Sequence, residues 1–199
     1  MGESIVNKIV IGIDQSYTRA GVAIAINGKL VNYYSIDYDG CINNIQKRFT
    51  LRNFVRERIL FLQDNVVYDD LIIIMERDNS KHRLVIKNSA ELTACIVDMA
   101  YKYGVDVYSV VATAVKSKVI PKKYGKPDDY KDERKPNKMP AIMFCEKEFG
   151  IDLSEKDNNF NKKVDKKGRV WYNDDVADSI TIAMYGFIDE KLQKLQKEE

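Results

Sequence analysis

Apolar positions in this chain follow two rhythms in turn, and their succession predicts an α/β layout. Residues 5–14 form a near-continuous β-branched run (Ile9, Val10, Ile11, Ile13) that stops on Asp14, as expected of a strand covered on both faces. The turn Gln15-Ser16-Tyr17-Thr18 leads into a second strand over 20–26. Asn27-Gly28 then marks a hairpin before a third strand over 29–36. From Cys41 to about Asp64 the spacing changes to threes and fours: Ile42, Ile45, Phe49, Leu51, Phe54, Val55, Ile59 and Leu62 recur with charges mostly between them, which predicts an amphipathic helix. A short apolar run over 70–76 reads as a central strand ending on Glu76. A helix over 87–103 follows, with Leu92, Cys95, Ile96, Met99, Ala100 and Tyr103 inward and Gly104 placed to end it. A fifth strand spans 105–110, a helix spans 141–149 closed by Gly150, and a last helix opens at Asn173-Asp174-Asp175. Its core-facing stripe is Val176, Ile180, Ala183, Met184 and Phe187. Residues 191–199 read as a fraying helical end.

Composition narrows the picture. With 199 residues, 45% hydrophobic and 31% charged, the chain is expected to fold as one domain over 1–199 with a sizeable core. No apolar run approaches a membrane span, and Met1 to Lys8 is not a signal peptide. Cys41, Cys95 and Cys145 are odd in number and far apart, which fits neither a disulfide framework nor a zinc pattern and suggests a reducing compartment. The single histidine, His82, reads as a solvated loop residue between Lys81 and Arg83. The net charge of +2 conceals an asymmetry, because residues 111–170 carry 16 Lys+Arg against 10 Asp+Glu. All four prolines fall within 121–140, so a mobile basic loop is expected at about 117–138. Such a bias suits a polyanionic partner, and a solvated lysine-rich loop would look the same.

Candidate chemistry lies in the acidic residues. Asp14 ends the first strand, Glu76 ends the fourth, and Asp175 and Asp178 share a face of the last helix. Acidic residues at a helix start also complement the macrodipole, with Asn173 or Asp174 as N-cap; Asp174 is taken as the capping residue. If strands one and four are neighbours, Asp14 and Glu76 meet, and the last helix need only pack beside them. Four carboxylates could then hold two Mg2+ ions about 4 Å apart. Oxygen-only ligands favour Mg2+ or Mn2+ over zinc.

These segments resemble the RuvC-type Holliday junction resolvases of the ribonuclease H-like (retroviral integrase) superfamily. Ile11-Gly12-Ile13-Asp14 with Gly21-Val22-Ala23 is similar to that family's first motif, Ile73-Ile74-Met75-Glu76 to its glutamate strand, and Asp175-Val176-Ala177-Asp178-Ser179 to its C-terminal signature. The resemblance implies a five-stranded mixed sheet, with three antiparallel N-terminal strands and two parallel ones, flanked by helices. It also implies Mg2+-dependent cleavage of four-way DNA junctions through Asp14, Glu76, Asp175 and Asp178. Lys116 and Lys138 would correspond to the family's substrate-contacting lysines, Lys138 stabilising developing charge, and Lys118, Lys122 and Lys123 would add to the basic segment. A homodimer through the 87–103 helix is implied, with no small-molecule cofactor and no membrane. Two departures stand out: Asp14-Gln15-Ser16 replaces the bacterial Asp-Pro-Gly, and no aromatic follows Glu76 in Arg77-Asp78-Asn79. With the expanded 120–140 loop, they look more like the bacteriophage or poxvirus branch, in the cytoplasm of a bacterial or infected host cell.

Two other readings come from different classes. Gly12-Ile13-Asp14-Gln15-Ser16 before a hairpin also resembles the phosphate-binding opening of sugar kinases and actin-like ATPases. Those need a second such half and glycine-rich loops, whereas this chain has no Gly-Gly. A non-catalytic junction binder would gain affinity for phosphates by losing its carboxylates.

Overall fold

The computed structural model describes residues 7–16, 18–77, 83–156 and 161–189, with the side chains of 83–85 excepted. The readings made at residues 5 and 6, Tyr17, Asp78, Asn79, His82 and 191–199 lie outside these residues. Five strands, β1 (Lys8–Asp14), β2 (Arg19–Ile26), β3 (Lys29–Asp37), β4 (Asp70–Glu76) and β5 (Asp106–Val110), form one sheet in the order β3-β2-β1-β4-β5. β1, β2 and β3 are antiparallel, while β1, β4 and β5 run parallel. This is the expected mixed sheet. The hairpin between β2 and β3 turns on Asn27 and Gly28, at φ of 51° and 76°, the left-handed pair that matches strand twist.

Alternation along the strands assigns each face its helices. Ile9, Ile11, Ile13, Val22, Ile24, Ile73 and Met75 point to one side, where they join Leu51, Val55 and Ile59 of α1 (Asn44–Asn65) and Leu92, Ile96 and Met99 of α2 (Arg83–Tyr101). Val10, Ala23, Ala25, Ile72 and Ile74 point to the other side and meet α3 (Ala112–Val119), α4 (Met139–Phe149) and α5 (Asp174–Tyr185). The N-terminal part of α1 departs from the expected apolar stripe. Ile45 and Phe49 are exposed, because the covered length of the helix begins at Leu51, and Ile42, also exposed, lies before the helix starts.

The 111–140 stretch holds more regular structure than its prolines and charges suggest. Val115 and Val119 lie one helical turn apart, both buried, and that pair anchors α3. Three single 3-10 turns follow at Lys122–Tyr124, Pro127–Tyr130 and Pro136–Lys138. α4 starts at Met139, before Pro140, because a first-turn proline has no intrahelical hydrogen bond to lose.

α5 is buried on every side, Asp174 through Tyr185 apart from Asp175, since α3 and α4 cover the face that looks away from the sheet. Its hydroxyls are satisfied internally: Ser179 Oγ donates to Val176 O and Thr181 Oγ1 to Asp178 O, both at 2.8 Å. Cys41, Cys95 and Cys145 are all free thiols. Among the described residues no helix is long and apolar enough to cross a membrane.

Candidate metal centre

β1 and β4 are parallel neighbours with Ile13 opposite Met75, so the next residues, Asp14 and Glu76, end side by side. The two-residue strand period turns both toward the face that α5 covers. Two glycines bring α5 down to them. A Cβ on Gly12 would lie 2.4 Å from Ser179 O and Ala183 N, and one on Gly21 would lie 2.0 Å from Asp175 O. Gly21 is also the partner of Asp14 across the β1–β2 ladder, so the first turn of α5 meets the sheet beside that carboxylate. The result is a cluster in which Asp14, Glu76 and Asp178 each offer an oxygen, all within 4.8 Å of one another. Gln15 Nε2 donates to the Glu76 carbonyl, fastening the turn after β1 to the end of β4.

Burial pushes the Asp14 carboxyl well above the ordinary carboxylate range, and the negative charges of Asp178, Glu76 and Asp175 push it further, against the pull of Lys138. Like charges held this close in a buried site call for a cation. Two ammonium groups supply part of that charge. Lys138 Nζ donates to Asp178 Oδ2, and Lys116 Nζ stands 3.2 Å from Asp178 Oδ1. Burial alone would lower the Lys138 ammonium, but Asp178 and Asp14 hold it above its ordinary value. Asp178 is 2% exposed, and its Oδ1 accepts no hydrogen bond of good geometry from the described residues. An all-oxygen donor set with one such buried carboxylate oxygen fits a hard divalent cation.

The fourth expected ligand is held elsewhere. Asp175 Oδ2 accepts from Arg19 Nε at 2.8 Å, and Arg19 also reaches Glu155 at 2.7 Å; Asp175 stands outside the three-carboxylate set. Burial raises its carboxyl while the Arg19 hydrogen bond draws it down. Asp174 is not the cap either. Asn173 is the N-cap, its side chain accepting from Val176 N, while Asp174 is buried and paired. Lys116 and Lys138 both stand beside Asp178 at the cluster. Lys118 pairs instead with Asp189 at 2.7 Å beyond the far end of α5, and Lys123 with Glu148 near the far end of α4. The neighbouring Lys122 is exposed on the same 3-10 turn as Lys123.

Sequence reasoning missed the strap that carries Lys138. Lys135 Nζ lies 2.7 and 2.9 Å from the two oxygens of Asp174, and the Arg134 guanidinium stacks 3.0 Å from the ring centroid of Trp171, the only tryptophan. One lysine among nine basic residues in residues 115–138 gives no signal that it meets a buried acid. The pairing predicts an asymmetry. Lys135→Met leaves the buried Asp174 only the more distant Lys138, 3.8 Å away, and should lower unfolding free energy by about 1–3 kcal/mol. Asp174→Asn, which leaves only the half-exposed Lys135 to resolvate, should cost less. Urea unfolding of both variants measures the difference.

In architecture the chain is similar to Thermus thermophilus RuvC. A structure of that protein in complex with a Holliday junction substrate superposes with a TM-score of 0.54 at 12% identity, covering 89% of this chain and 90% of that one. A second structure of the same protein also gives 0.54, at 14% identity over 88% and 91%. The yeast mitochondrial Holliday junction resolvase Ydc2 gives 0.52 at 14% identity, over 97% of this chain and 82% of that one. The five-stranded, ribonuclease H-like arrangement is common to all of them. No protein-family model matches the chain, and no curated protein sequence matches it.

Proposed function

We propose that this protein is a divalent-metal-dependent, structure-selective endonuclease that hydrolyses DNA phosphodiesters at four-way (Holliday) junctions, with other branched DNAs as further substrates. The observation that carries this reading is the convergence of Asp14, Glu76 and Asp178 within 4.8 Å, with Lys116 and Lys138 beside them, on a RuvC-like fold. Bound by these carboxylates, Mg2+, or Mn2+ in its place, supplies a Lewis acid that polarises the phosphoryl group and lowers the pKa of an attacking water. Asp14, Glu76 and Asp178 hold the first ion, and Asp175 completes a site for a second. Lys116 and Lys138 grip the phosphate at the cut through charge-assisted hydrogen bonds, Lys138 facing the developing negative charge. Lys118, Lys122 and Lys123 contact only DNA that extends past the site, and they orient it without reading sequence.

Paired cuts need paired sites, so the working form is a homodimer with twofold symmetry. Ile86, Val97 and Tyr101 of α2 are exposed, which supports that helix as the interface. The Asp14-Gln15-Ser16 turn supports a bacteriophage or poxvirus affiliation and work in the cytoplasm of a bacterial or infected host cell. The nuclease domain spans the whole chain.

The deciding experiment incubates the protein with four-way, three-way, flap and linear duplex DNA, with and without Mg2+. Metal-dependent nicking of branched DNA alone is expected. ATP hydrolysis without nicking would instead point to the kinase-like alternative. Binding in Ca2+ should weaken with salt at a log–log slope steeper than about −2, and Lys116→Ala or Lys138→Ala should each flatten it by about 0.9. A salt-independent affinity would contradict the assignment of these lysines to phosphates.

A further inference from the structure

Arg19 begins β2 on the face that carries Gly21 and Ala23, the face α5 covers. Its guanidinium spans two carboxylates, Nε to Asp175 Oδ2 at 2.8 Å and one terminal nitrogen to Glu155 Oε1 at 2.7 Å. All three side chains are about four-fifths buried, with 21%, 17% and 19% exposure for Arg19, Asp175 and Glu155. Glu155 is itself fixed from its backbone, since its N–H donates to Trp171 O and its carbonyl accepts from Lys163 N, both at 2.8 Å. Lys163 Nζ also lies 3.6 Å from the second Glu155 oxygen. The planar fork therefore ties Asp175 to a carboxylate whose own backbone is fixed, a geometry that a lysine would not reproduce. Asp175, three residues before Asp178, is turned to this fork and stands outside the carboxylate set.

We infer that Arg19, anchored by Glu155, is a positioning residue that withholds Asp175 from the Asp14–Glu76–Asp178 cluster, so that the protein takes up its two cations in order, one at the preformed cluster and a second only when Asp175 leaves Arg19. This rests on the metal-dependent reading above. A second cation must compete with a buried, charge-assisted hydrogen bond, so its site is the weaker of the two. The first site already offers a carboxylate oxygen that accepts no hydrogen bond from the described residues, Asp178 Oδ1, although Lys138 and Lys116 stand beside that carboxylate.

The test is calorimetric titration of metal-stripped, full-length protein with Mn2+ in the absence of DNA. Wild type should bind one ion tightly and a second at least about tenfold more weakly, the equivalent of one hydrogen bond to a charged group. Arg19→Gln should tighten the second site by about tenfold and leave the first unchanged. Glu155→Gln, which loosens the anchor but keeps the guanidinium, should shift the second site in the same direction and by less. An unchanged second site in both variants overturns the inference. So does a parallel shift of both sites, which would mark Arg19 as a general electrostatic or structural residue. If wild type binds no Mn2+, or if Asp14→Asn leaves the tight site intact, the metal-dependent reading falls together with the inference, and both results are visible without any Arg19 variant.

Discussion

Asp14→Asn should abolish strand cleavage while junction binding, measured in Ca2+ or EDTA, stays at the wild-type level. Asp14 is the carboxylate on which the cluster closes: it ends β1, is almost fully buried, and feels both Asp178 and Glu76. A neutral amide in its place removes a charged ligand without changing shape. The expected loss in rate is on the order of a thousandfold, equivalent to about 4 kcal/mol of transition-state stabilisation. Glu76→Gln should behave alike. Binding is expected to be spared because the proposed phosphate contacts come from the lysines and not from Asp14.

The same substitution has an opposite effect on stability, which separates a chemical lesion from an unfolded protein. Burial and neighbouring carboxylates raise the Asp14 pKa in the fold. A raised acid contributes stability that is fully present below the ordinary carboxylate pKa and is lost as pH rises through the raised value. At neutral pH, where the unfolded chain ionises Asp14 freely, the metal-free wild type therefore carries the cost of keeping this carboxyl in the cluster in either protonation state, and Asp14→Asn does not. In EDTA at pH 7 the variant should melt above wild type, with the difference vanishing toward acidic pH. Mg2+ should raise the melting temperature of wild type more than that of the variant, because only the intact cluster binds it well. Unimpaired cleavage by Asp14→Asn would sink the metal-site reading.

Gly21→Ala should cost both stability and cleavage. Its new Cβ would sit 2.0 Å from Asp175 O and 2.4 Å from Asp175 C, and these are helix backbone atoms that no rotamer change can move. α5 must shift away from the sheet. Overpacking of this kind costs about 1–3 kcal/mol or more, and each kcal/mol lowers the melting temperature by about 2–4 °C for a chain of this size. Moving Asp178 by even ~1 Å relative to Asp14 should lower cleavage about a hundredfold. Gly12→Ala meets Ser179 O and Ala183 N at 2.4 Å and should give the same pair of losses. Thermal melts and single-turnover cleavage measure them; a variant that melts and cleaves as wild type would show that α5 is not seated by these glycines.

Most strands were legible because each is a short apolar run bounded by turn chemistry, whereas the adjacency of β1 and β4 was only a condition of the carboxylate reading until the sheet order β3-β2-β1-β4-β5 met it. α3 escaped notice because the prolines and lysines of 111–140 outweighed a single buried pair, Val115 and Val119. The exposed Ile42, Ile45 and Phe49 show the converse, since a helical apolar stripe states what can be buried and not how far the covering surface extends. The complete burial of α5 was also hidden: Asp178, Ser179 and Thr181 read as a polar face until α3 and α4 lie over them.

By itself the sequence determined which acids are available at the cluster. Asp14 and Glu76 each follow an apolar run, so each is carried on a rigid strand end, and the helical period fixes Asp175 and Asp178 near one another on α5. Only the tertiary structure decided which of them form the cluster. Asp175 and Asp178 are offset by about 60° around the helix, enough for one to face the strand ends and the other to face Arg19, 156 residues away in the chain. Asp174 lies about 40° to the other side of Asp178 and meets Lys135. Local pattern sets where a carboxylate is mounted, but its charge is neutralised by whichever cation the fold brings nearest, and that choice is made across distances in the chain that no local pattern spans.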